Sequence, residues 1–141
     1  MAYQLLDSFQ GLFDGQAYLH RKSNLGDSVA MGLYEDLHAI KRSKKFVDRV
    51  DTGLSVLNTQ NTRQGVKARR GDGSFGEIVP NEIPVKDKGF TVCRGPIATI
   101  EIGIEVKILM KAMIKQIDRV ASDLRGQADH FRSRDGKPIC I

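Results

Sequence analysis

Between Thr99 and Leu109 the chain alternates apolar and polar side chains residue by residue. This pattern limits the possible folds more than any other stretch. Successive side chains of a β-strand point to opposite faces, so the segment reads as a strand. One face carries Ile100, Ile102, Ile104, Val106 and Ile108, and the other carries Glu101, Gly103, Glu105 and Lys107. A wholly aliphatic face must be covered, which predicts a strand in the middle of a sheet. The opposite face then holds three ionisable groups in a row. Charges enter a protein interior only when they are paired or bind a metal.

The elements around this strand follow from periodicity and punctuation. Leu5, Leu6, Phe9 and Phe13 suggest an apolar stripe on a short helix, within an otherwise ambiguous stretch at residues 1–27. Asp27 or Ser28 can cap a second helix, whose apolar face is Val29, Leu33, Leu37 and Ile40. That helix is expected to run to about Val50 and stop before Gly53. Lys41, Arg42, Lys44 and Lys45 would then lie near its C-terminal end, where they complement the helix dipole. After a polar loop, residues 66–70 and 74–79 predict a hairpin turning at Gly71-Asp72-Gly73. Phe90–Cys93 can form another short strand, and Gly95-Pro96 turns the chain into the strand at Thr99.

Directly after that strand, Leu109, Met113, Ile117, Val120, Ala121 and Leu124 recur at helical spacing, with Gly126 as the expected end. Residues 136–141 begin like a buried strand. The coarse order is therefore helix, three strands, helix and an incipient strand. With 141 residues the chain suits a single domain over 1–141. Its core is expected at 28–141, with 1–27 as a helical extension. A strand that has only begun by Ile141 also leads to the expectation of a longer protein, of which this is the N-terminal part.

Composition excludes little. No apolar run approaches the roughly 20 residues that span a bilayer, and residues 1–7 lack the pattern of a signal peptide. The expectation is a cytoplasmic protein with no membrane association. Cys93 and Cys140 have no metal-ligand spacing; free thiols are expected, with a disulfide between them left open. The net charge of +5 is compatible with a phosphate-rich partner.

Glu105-Val106-Lys107 within an aliphatic strand resembles the Glu-x-Lys half of the PD-(D/E)xK motif, and the resemblance extends through the element order over residues 28–141. The family is the restriction-endonuclease-like nuclease superfamily. The resemblance implies an α/β (α+β) fold: a central mixed sheet flanked by helices, with the last core strand truncated here. It also implies a magnesium-dependent DNA endonuclease, with manganese as a possible substitute and DNA as partner. Double-strand cleavage would suit a homodimer.

Hard oxygen ligands suit magnesium, which binds the scissile phosphate and acidifies a water. Glu105 and the carbonyl of Val106 would be ligands, and Lys107 would orient the attacking water and stabilise developing charge. The motif also needs an earlier acid, and no Pro-Asp dipeptide occurs in this chain. Asp72 between two glycines is preferred, then Glu77 in the strand that follows. Asp87 has the more usual separation but looks like an exposed turn. Glu101 lies four residues from Glu105, about 13 Å along a strand, too far to share an ion. The predicted catalytic set is Asp72, Glu105 and Lys107, and the predicted metal ligands are Asp72, Glu77, Glu105 and Val106.

Each assignment has a plainer competitor. The charged row can be a solvent-facing set of ion pairs, Asp72 an ordinary turn residue, and Glu35 a solvated helix residue rather than an added carboxylate. Gln116 and Arg119 resemble polar residues that hold a phosphate in some members, and Arg69, Arg70, Lys111 and Lys115 could neutralise phosphates. The Gln-x-x-x-Tyr pattern of exonuclease-like branches does not follow from Gln116, because Val120 occupies the position of the Tyr. His20, His38 and His130 receive no role. The alternative function is a catalytically inactive DNA-binding or assembly protein on the same fold. A subunit whose carboxylates merely pair with a partner is a third.

Overall fold

A computed structural model describes residues 3–15, 24–58, 73–106, 115–132 and 139–141. Three helices lead the chain: α1 (Gln4–Phe13), α2 (Asn24–Ile40) and α3 (Lys44–Asp51). The strands β1 (Ser55–Asn58), β2 (Gly73–Glu77), β3 (Arg94–Gly95) and β4 (Ile102–Ile104) follow, then α4 (Ile117–Arg132) and β5 (Ile139–Cys140). The described residues thus form a mixed α+β structure with four helices and a five-stranded mixed sheet, ordered β3-β1-β2-β4-β5. β2 runs antiparallel to both β1 and β4, while β3 lies parallel to β1 and β5 parallel to β4.

The single helix expected from residue 28 to Val50 is two helices. Lys41 takes a left-handed backbone (φ 55°), and Ser43 is extended and caps α3 by accepting from the Phe46 N–H. His38 then meets Asp51 at 2.8 Å and ties the end of α2 to the end of α3. Gly53, at φ 67°, ends α3 where the sequence placed the stop. The N-terminus of α1 is capped by another helix. The Asp36 carboxylate on α2 accepts from the N–H groups of Gln4 and Leu5 at 2.8 and 3.1 Å, which have no acceptors of their own within α1. Leu6, Phe9 and Phe13 of α1 are exposed.

β2 is paired along both edges, by β1 and by β4; residues 66–70, the other half of the predicted hairpin, lie outside the described residues. β1 was not foreseen. It follows α3 almost at once, without the cluster of turn residues that usually announces a strand. Phe90–Cys93 carries no strand; the pairing falls one step later, at β3.

The sheet separates two cores. Tyr34, Phe46 and Phe75 pack with ring centroids 5.0–6.2 Å apart beneath α2 and α3, together with Leu57, Ile102 and Ile104. On the other side Val56, Ile97 and Ile100 meet Phe131 of α4. α4 runs on past Gly126, and its buried residues are Val120, Gln127 and Phe131, whereas Ile117 and Leu124 are exposed. The ring of Phe131 lies where a side chain on Gly103 would stand. This explains the glycine in the middle of the patterned strand: it admits an aromatic ring, rather than a second backbone or a ligand.

Candidate active site

Ile100 and Ile102 fall into different cores, so strict alternation fails between them. The Glu101 N–H donates to the Phe75 carbonyl at 2.9 Å, while Phe75 is also the register partner of Ile102. Two residues of one strand oppose one of its neighbour, which is a β-bulge. The bulge turns Glu101 away from the side of Gly103, and the expected row of charges divides at this point.

Glu101 joins a polar cluster with residues from three other elements. Arg49 of α3 lies 3.2 Å from Glu101 and 3.1 Å from Glu77, and donates to the Ser55 hydroxyl at 3.2 Å. Ser55 in turn donates to Glu101 at 3.1 Å. One guanidinium thus holds two carboxylates that would otherwise repel across the sheet. Glu77 is therefore committed to Arg49. It lies four residues along β2 from Gly73, the residue opposite Ile104, or about 13 Å. The expectation that Glu77 is a metal ligand together with Glu105 is corrected on both counts.

Glu105 immediately follows β4. Its N–H donates to the Ile141 carbonyl at 3.1 Å, so β5 fixes its backbone, and the residue is half-buried. Val106 is half-buried against the aromatic core. Asp72 and Lys107 lie outside the described residues, as do Arg69, Arg70 and Lys111.

Asp87 is gripped by Arg94 of β3, which donates to it at 2.7 Å through Nη2 and approaches its second oxygen through Nε. This hydrogen bond, against a smaller opposing effect of desolvation, raises the Arg94 pKa. β3 lies three strands from β4, about 14 Å across the sheet. Asp87 is thus excluded as a partner of Glu105.

Glu35 is neither a site carboxylate nor solvated. It is buried, and one of its oxygens accepts from the N–H groups of Thr91 and Val92 at 2.8 and 2.6 Å. Lys115, Gln116 and Arg119 are exposed at the start of α4. No disulfide joins the cysteines, which sit beside opposite edges of the sheet, Cys93 before β3 and Cys140 in β5. Four strand spacings amount to about 19 Å, which rules out the disulfide left open by the sequence.

Arg49, Ser55 and Asp36 were missed as organising polar residues. Their partners are 6 to 52 positions away, and nothing local in the sequence points to them. Among the described residues no group of three His, Cys, Asp or Glu side chains could hold a metal ion, and no helix is long and apolar enough to cross a membrane. No protein-family model, curated protein or solved structure matches this chain.

Proposed function

We propose that the chain is a magnesium-dependent DNA endonuclease of restriction-endonuclease-like fold, with its site at the end of β4 where Glu105 follows Ile104. The observation that carries this reading is the pairing of Gly73 with Ile104. Asp72 is joined by a peptide bond to the first of these residues and Glu105 to the second. Asp72 itself lies outside the described residues; as the sequence neighbour of Gly73 it is the acid we assign as the partner of Glu105, two carboxylates suiting one hard cation. The order of elements agrees: a helix, the antiparallel strands β1, β2 and β4, a second helix, and a strand parallel to β4.

Asp72 and Glu105 would hold magnesium, with the Val106 carbonyl as a third oxygen donor. Magnesium, when bound, would polarise the scissile phosphate and lower the pKa of the attacking water. Lys107, two residues beyond Glu105, would steady that water and stabilise the charge gathering on the phosphate oxygens. Glu77 has no part in this set, because Arg49 holds it.

The test is cleavage of supercoiled plasmid with magnesium, with manganese as a second arm. Lys107→Ala and Glu105→Gln should each lower the rate by about 10²–10³. Undiminished cleavage by Lys107→Ala would overturn the assignment. Binding of the plasmid without cleavage by the unaltered chain would favour the catalytically inactive alternative.

A further inference from the structure

The cations between α2 and α3 take no part in the site above. Lys41, Arg42, Lys44 and Lys45 fall within five consecutive residues, and all four are exposed. None of their side chains makes an ion pair with a described residue, whereas Arg49, one turn further on, holds two carboxylates. Of the chain's formal charge of +5 they supply four, leaving +1 without them.

Folding does not account for them. Were the helix continuous, these cations would sit at its C-terminal end and be favoured by the dipole. The break after Ile40 reverses the situation. Lys44 and Lys45 open α3, at the end of a helix that favours anions, and the first turn of α3 contains no acid. Four crowded like charges, two of them at an unfavourable helix end, lower stability unless an anion lies against them. The N–H groups of Lys44 and Lys45 have no acceptor within the helix, and they face the same anion-favouring end.

We propose that the α2–α3 junction is a docking surface for the phosphate backbone of duplex DNA, separate from the cleavage site; the choice of DNA among polyanions rests on the nuclease reading. A lipid surface fits less well. Membrane-surface segments combine cations with large apolar side chains, and residues 41–45 contain none.

The test measures fluorescence anisotropy of an end-labelled duplex of about 20 base pairs in EDTA, across a range of salt concentrations. Four phosphate contacts contribute about three to four units to the slope of log K against log salt. The variant Lys41→Ala/Arg42→Ala/Lys44→Ala/Lys45→Ala should lose most of that slope and bind at least about tenfold more weakly at low salt. Lys44→Glu/Lys45→Glu should also lose binding while raising Tm, because it relieves the conflict with the dipole. A slope unchanged to within one unit, a lowered Tm in the Glu variant, or preference for phosphatidylserine vesicles over the duplex would each overturn the proposal. EDTA separates the two readings. A chain that docks in this way but never cuts keeps the docking surface and loses the nuclease. One that cuts while the fourfold variant docks normally does the reverse.

Discussion

The two faces of the sheet are built differently. Beneath α2 and α3, three aromatic rings interlock and Tyr34 is fully buried, with its hydroxyl 2.8 Å from the Gly73 carbonyl. The buried acids of α2, Glu35 and Asp36, each accept two backbone N–H groups. Beneath α4 a single ring, Phe131, packs on Gly103 and on Val56, Ile97 and Ile100, and a buried amide, Gln127 Nε2, has no hydrogen-bond partner. The first face is a filled core with its polar groups satisfied. The second depends on close approach and leaves a donor unmet. Glu105, two residues beyond Gly103, returns by strand alternation to this thinner face, so the proposed metal-binding carboxylate adjoins the side that contributes less to stability.

The largest expected difference between the faces is in the core. Phe75 is fully buried and touches both other rings. Phe75→Ala should lower stability by about 3–5 kcal/mol in denaturant titration, the usual range for a buried phenylalanine. A loss below about 1 kcal/mol would mean that the aromatic face is not the principal core.

On the α4 face the limit is space. Gly103→Ala drives a methyl into the Phe131 ring and should cost about 1–3 kcal/mol. In a Phe131→Leu background the same change should cost much less, so a double-mutant cycle should reveal strong coupling. Simple additivity would contradict this packing.

Tyr34 gives the first face a pH signature. Burial holds its pKa well above the ordinary value of 10.0. The folded state therefore keeps a proton that the unfolded chain releases, and stability falls as pH rises above the unfolded pKa near 10. Below that pH the contribution is complete. Tyr34→Phe should cost about 1 kcal/mol at neutral pH through the lost hydrogen bond. It should also flatten the alkaline limb of a stability–pH curve, and an unchanged limb would show that another group titrates there.

The sequence disclosed the parts of this molecule that depend on local spacing. Alternation from Ile102 to Ile104, the helix stop at Gly53 and the helix after β4 were all legible. The bulge at Glu101 was not, because it arises from pairing with Phe75, 26 positions away, and changes no residue type. The break between α2 and α3 was hidden for a similar reason: Lys41 is an unusual residue for a left-handed backbone, so periodicity ran straight through it. For the proposed site, Glu105 was legible as a carboxylate on a patterned strand. Asp72 is preferred over Glu77 as its upstream partner, and Asp87 has the more usual separation; strand order sets Glu77 and Asp87 apart from Glu105. Arg49, which holds both Glu77 and Glu101, could be recognised only once α3 lay across the sheet.

The smallest effect tests the thinner face most directly, because its sign is informative. Gln127 is 3% exposed, and its Nε2 donor has no partner. A buried donor without a partner costs about 1–3 kcal/mol, whereas an apolar group of similar shape at the same position avoids that penalty. Gln127→Leu should therefore leave stability unchanged or raise it by up to about 1 kcal/mol, the opposite direction from Phe75→Ala, Gly103→Ala and Tyr34→Phe. Thermal unfolding of this variant beside Gly103→Ala makes the comparison within one face. A loss of more than about 1 kcal/mol in Gln127→Leu would show that the amide is satisfied, and the contrast between the two faces would then reduce to the volume of their side chains.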